Sequence, residues 1–132
     1  LHLAPGAPPA EAACVPIRTR KAESGRLIAT VSRSHSDAAT EAFLARFPKV
    51  TKLANGSAIK FCRLAEGSAD IYPRLAPTRE WDVAAGDALL SAAGGKVTDP
   101  RGALLVYGRP GNVPIPAFIA WGDPGIINAE VS

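Results

Sequence analysis

Residues 27–56 read LIATVSRSHSDAATEAFLARFPKVTKLANG, and this stretch decides the fold. Leu27 to Val31 is a short apolar run with the look of a buried strand. The polar SRSHSD follows as a loop, and apolar positions then recur at helical spacing from about Asp37 to Phe47. Asp37 or Ser36 caps that helix at its start, and Pro48 stops it. Val50 to Leu53 makes a second short strand that ends at the turn pair Asn55-Gly56.

The same alternation continues downstream. Between Ser57 and Glu66 the apolar Ala58, Phe61, Cys62 and Ala65 recur at helical spacing, while Ser57, Lys60 and Arg63 share another face. Asp70 to Pro73 is a further short strand. The strongest helix follows, with Trp81, Ala84, Ala85, Ala88, Leu89 and Ala92 in one stripe and Gly94-Gly95 at its end. Short strands are expected near Lys96 to Thr98 and Leu104 to Tyr107, then a Pro-rich loop, a last buried strand from Ala117 to Trp121, and a final helix from about Asp123. Strands alternating with helices predict an α/β fold, a mixed or largely parallel sheet covered by helices on both faces. Upstream of Leu27, residues 1–26 are rich in Pro and small residues and are expected to form an irregular lead or linker, leaving 27–132 as the α/β domain.

Composition narrows the function classes. The 132 residues are 47% hydrophobic and 20% charged, which suits one globular domain and excludes a disordered or fibrous chain. The net charge of +3 is spread among acidic residues, which argues against a nucleic-acid or membrane-surface partner and leaves a small anionic ligand open. No apolar run approaches the roughly 20 residues of a membrane-spanning helix. Cys14 and Cys62 are expected to be free thiols in a reducing compartment. A chain that opens on Leu1 and has no Met is expected to be a fragment or a processed product.

Three constellations carry chemistry. In EWDVAAG (80–86), Asp82 lies at the first turn of an Ala-lined helix. There it is either a dipole-stabilising cap worth about 1 kcal/mol or an oxygen ligand for Mg²⁺. In GSAIK (56–60), Gly56 opens a helix and Ser57 and Lys60 lie three residues apart, which suits a phosphate but equally describes a capped helix with a solvated lysine. Arg74, just past a strand end, either completes that pocket or is a surface arginine. In SRSH (32–35), His35 follows a strand end and either stacks on a base, donates to a phosphate or is a polar surface residue of the loop.

Taken together and in order, SRSH (32–35), GSAIKFC (56–62), ADIYPR (69–74), PTREWDVAAG (77–86) and AAGGKVTD (92–99) resemble the C-terminal half of the 3'(2'),5'-bisphosphate nucleotidases of the CysQ type. These belong to the lithium-sensitive, metal-dependent phosphatases that include inositol monophosphatase and fructose-1,6-bisphosphatase. The resemblance implies Asp82 as a Mg²⁺ ligand. It implies Ser57, Lys60 and Arg74, with Gly56, as the holders of the phosphate that is not cleaved, and His35 as a residue against the nucleoside. It implies hydrolysis of adenosine 3',5'-bisphosphate to AMP and phosphate in sulfur assimilation, with inositol-phosphate or sugar-phosphate hydrolysis, or non-catalytic nucleotide binding, as alternatives. The expected location is cytoplasmic, or peripheral at the inner membrane. The family's first half, with its acidic helix and DPxDGT segment, has no counterpart here. The chain alone is therefore expected to turn over negligibly and to self-associate through an exposed face.

Overall fold

The computed structural model describes residues 14–23, 25–33, 37–111 and 113–127. Five strands, β1 (Leu27–Ser32), β2 (Val50–Asn55), β3 (Ile71–Arg74), β4 (Lys96–Thr98) and β5 (Phe118–Trp121), form one sheet in the order β2-β1-β3-β5-β4. β1 pairs parallel with β2 and β3, whereas β5 runs antiparallel to both β3 and β4. The sheet is thus mixed, and the α/β class expected from the strand and helix alternation is the one observed.

Period-2 alternation divides each central strand between two cores. From β3 and β5, Ile71, Ile119 and Trp121 join Leu27, Phe43, Leu44 and Phe47 beneath α1 (Ala38–Leu44). Tyr72, Phe118 and Ala120 face the other way, into a core with Phe61, Leu64, Val83 and Leu90 from α2 (Ile59–Ala65) and α3 (Ala84–Ala92). Asp37 caps α1, its carboxylate accepting the Thr40 amide and hydroxyl, both at 2.7 Å. Burial opposes its ionisation, but those bonds prevail and hold its pKa below the usual carboxylate value.

Three expectations are corrected. The apolar stripe of the strongest helix points outward: Trp81 is 67% exposed, Ala85, Ala88, Leu89 and Ala92 are exposed, and the buried line is Val83, Leu90 and Ala93. The physical marker is Gly86, whose missing side chain admits the Phe61 ring of α2. On α2 it is Cys62 that is exposed and Lys60 that is buried. Leu104 to Tyr107 forms no strand beyond a single bridge from Leu104 to Thr98. Its neighbourhood is pinned instead by carboxylates, Glu80 accepting the Gly108 amide and Asp87 the Tyr107 hydroxyl.

Part of the lead is fastened to the domain. The Arg20 guanidinium donates two 2.8 Å bonds to fully buried Asp70, which also accepts the Ile28 amide at 2.7 Å, and the Ala22 amide meets Asp123. Asp70 precedes β3 and Asp123 follows antiparallel β5, so these ties lie at the end of the sheet opposite the carboxyl end of β3.

Candidate functional site

The carboxyl ends of the three parallel strands are Ser32, Asn55 and Arg74. In open α/β sheets this is the edge where crevices form. After Asn55 the chain turns through Gly56 into Ser57, which sits at φ 51, a left-handed conformation uncommon for a residue with a side chain. The helix proper begins only at Ile59, with no side-chain cap. Lys60, in its first turn, folds back so that Nζ donates to the Ser57 carbonyl at 2.7 Å. The contact between these two residues therefore runs through the Ser57 main chain.

Lys60 is only 4% exposed, and its ammonium lies 5.0 Å from the centroid of the Tyr72 ring. Burial pushes its pKa down, and the neighbouring Arg74 charge pushes it further. Arg74 ends β3 two residues after Tyr72, on the same face of the strand, with its guanidinium also 3.5 Å from the Pro77 carbonyl. The Tyr72 phenol is raised by burial, an effect that Arg74 offsets in part and Asp82 augments. Lys60, Tyr72, Arg74 and Asp82 therefore share one electrostatic neighbourhood. Among the described residues neither Lys60 nor Arg74 has a carboxylate salt-bridge partner.

Asp82 belongs to a single 3₁₀ turn (Glu80–Asp82) before α3 and is exposed. Its carboxylate accepts the Thr78 hydroxyl at 3.2 Å, and buried Thr78 is itself fixed by two 2.9 Å main-chain bonds with Ile115. Arg74 and Asp82 line one open cleft of about 410 Å³ with Pro77, Thr78, Arg79 and Pro114. His35 lies outside the described residues. Ser57 connects to the cluster through its carbonyl's bond with Lys60, and Gly56 only precedes it in the turn. Sequence reasoning passed over Tyr72 and Thr78. A strand places Tyr72 and Arg74 on one face, and that spacing was the available signal for the former.

As a metal ligand Asp82 has suitable chemistry, an exposed carboxylate oriented by a hydroxyl, but it supplies one ligand position. No group of three or more His, Cys, Asp or Glu side chains able to hold a metal occurs among the described residues. Glu80 and Asp87, its acidic neighbours, are turned toward Gly108 and Tyr107. The residues fit part of a Mg²⁺ shell, which takes one or two carboxylates and completes itself with water and phosphate.

A mixed sheet between helical layers, with Lys60, Arg74 and Asp82 gathered at the carboxyl ends of its parallel strands, defines an α/β domain with a charged cleft. Comparison with known proteins sharpens this. The profile of the inositol monophosphatase family matches residues 9–123, and the chain belongs to that family. It is 53% identical over 72 residues to an uncharacterized protein in the pss 5' region of Rhizobium leguminosarum bv. phaseoli, covering 51% of this chain and 76% of that protein. It is 44% identical over 80 residues to the 3'(2'),5'-bisphosphate nucleotidase CysQ of Escherichia coli K12, covering 61% of this chain and 32% of that enzyme. The crystal structure of CysQ from Bacteroides thetaiotaomicron superimposes with a TM-score of 0.66 at 38% identity, over 80% of this chain and 40% of that one. The chain thus spans well under half the length of the nucleotidases it resembles.

Proposed function

We propose that this chain is the nucleotide-holding part of a Mg²⁺-dependent phosphatase that hydrolyses adenosine 3',5'-bisphosphate to AMP and phosphate. The observation that carries this reading is the pairing of Lys60 with Arg74, neither of which forms a carboxylate salt bridge among the described residues, next to the cleft that Asp82 shares. Two cations with no acidic partner favour a ligand that brings its own negative charge. A substrate with one phosphate to lose and one to keep uses both parts of the site. In this assignment Lys60 and Arg74 hold the retained 5'-phosphate, Gly56 and Ser57 shape the turn beside it, and His35 lies against the nucleoside. Asp82, oriented by Thr78, is the residue that would hold Mg²⁺. When bound, the ion supplies positive charge at the phosphate to be cleaved and acidifies the attacking water. Water adds to the 3'-phosphorus, the bond to the ribose 3'-oxygen breaks, and that oxygen leaves with a proton.

Two-metal hydrolysis clamps ions about 4 Å apart with several carboxylates. Asp82 does not assemble such a clamp, so the 132-residue chain is proposed to bind nucleotide while turning over negligibly. The reading carries with it a cytoplasmic location. Among the described residues no helix is long and apolar enough to cross a membrane.

Calorimetric titration of the protein with adenosine 3',5'-bisphosphate, AMP, inositol monophosphate and adenosine tests the assignment. The two nucleotides are expected to bind tighter than adenosine and inositol monophosphate, and Lys60→Glu to abolish that advantage. Equal affinity for inositol monophosphate and AMP would favour the sugar-phosphate alternative. Strong Mg²⁺-dependent phosphate release by the chain alone would refute its catalytic incompleteness.

A further inference from the structure

Two like charges at one site repel, and a lysine with no acidic partner ordinarily turns toward water. Lys60 does neither. It stays buried beside Arg74, donating to the Ser57 carbonyl and resting on the face of the Tyr72 ring. The ring is itself closely packed: it is 5% exposed and meets Phe61 edge-on at 5.3 Å and Phe118 edge-on at 5.1 Å. At its other end the phenol lies beside the Arg74 guanidinium, which occupies the same face of β3.

We propose that Tyr72 is a positioning residue that holds Lys60 and Arg74 together as charged groups, so that one phosphate meets both. The role rests on the phosphate-holding assignment made above. A carboxylate in this place would also restrain the two cations, but it would neutralise them and compete with the ligand. A ring face attracts a cation through its quadrupole without cancelling its charge. Tyr72 thus gives the cradle order while leaving its full charge to the incoming anion. It touches neither phosphate nor metal in this scheme and acts through the two cations.

The test replaces Tyr72 by phenylalanine and then by mono-, di- and trifluorinated phenylalanines, which keep the ring's shape while draining its face of negative potential. AMP and adenosine are titrated into each full-length chain. AMP affinity is expected to fall stepwise, by about 5- to 20-fold from phenylalanine to the trifluorinated ring, while adenosine affinity stays constant. Tyr72→Phe keeps the ring contact with Lys60 but removes the phenol beside Arg74, and is expected to weaken AMP binding by about threefold; an unchanged affinity overturns the hold on Arg74. Tyr72→Leu gives the full loss where it folds, and the fluorinated series decides the matter where it does not. A flat AMP series in a protein that binds AMP better than adenosine overturns the role of Tyr72 alone. Wild-type protein that binds AMP no better than adenosine overturns the phosphate-holding reading and the role of Tyr72 with it.

Discussion

Gly86 is the point at which α3 touches α2, and replacing it by alanine tests both the packing and its link to the site. A Cβ built there would lie 2.3 Å from Phe61 Cδ2, 2.4 Å from Cγ and 2.7 Å from Cε2. These distances are well inside contact for carbon, so the ring or the helix has to move. The ring has little room, because it is 1% exposed, stacks on Phe118 at 5.7 Å and meets Tyr72 at 5.3 Å. Overpacking of this kind costs about 1–3 kcal/mol, and the clamped ring argues for the upper end. Alanine recovers about 1 kcal/mol of helix propensity. The net expectation is a loss of about 2 kcal/mol, or a fall in Tm of about 6–10 °C for a chain of this size.

Urea unfolding followed by the fluorescence of buried Trp121 measures this change, with the midpoint expected to fall and the slope to hold. Ala88→Gly, on the exposed side of the same helix, is the control, and is expected to lose only the propensity term of about 1 kcal/mol. The reasoning fails if Gly86→Ala matches or exceeds wild type, since that would mean the helices part at no cost. Because the displaced ring bears on Tyr72, the substitution is also expected to weaken AMP binding, which Ala88→Gly leaves alone.

Three further outcomes follow from particular contacts. Burial and Arg74 both favour the neutral amine of Lys60, so its folded pKa lies below 10.5, while a bound phosphate favours the ammonium. AMP affinity should therefore be full below that folded pKa and decline as pH rises through it; Lys60→Arg should flatten the profile, and a wild-type profile level to pH 10.5 would contradict the account. Arg20→Ala leaves the Asp70 carboxylate buried with the Ile28 amide, at a cost of about 1–3 kcal/mol in urea unfolding, less than for a fully buried pair because Arg20 is 37% exposed. Asp82→Asn should leave stability within about 0.5 kcal/mol, since the residue is exposed, while abolishing Mn²⁺-induced broadening of NMR signals around Thr78 and Arg74; persistent broadening would remove Asp82 as a metal ligand.

Much of this architecture was legible in the sequence because local signals and burial agreed. LIATV has one polar residue, Thr30, whose buried hydroxyl accepts the Asn55 side-chain amide at 3.1 Å, and Asp37 and Pro48 bound the first helix by known stereochemistry. Where two apolar stripes coexist, periodicity cannot choose. Along α3 and its two ends the residues 81, 84, 85, 88, 89 and 92 form one stripe and 83, 86, 90 and 93 another, and alanines give little reason to prefer either. The deciding fact is the close approach of Phe61 to Gly86, a contact across 25 positions that only the folded chain displays. The 104–107 segment has the composition of a strand, but its Tyr107 hydroxyl donates to Asp87 of α3 and the Gly108 amide that follows donates to Glu80 in the turn before α3.

The site divides in the same way. The charged residues Lys60, Arg74 and Asp82 stand out in sequence because their chemistry is explicit, while the residue that relates two of them is an aromatic, and aromatics in strands are ordinarily core. Tyr72 is core too, edge-on to two phenylalanines, and that close packing makes its ring face a defined seat for a cation. Packing and charge are then one arrangement: α3 presses on Phe61 through Gly86, Phe61 fixes Tyr72, and Tyr72 fixes Lys60 beside Arg74. A perturbation at the helix interface should therefore appear as lost anion affinity before it appears as lost fold.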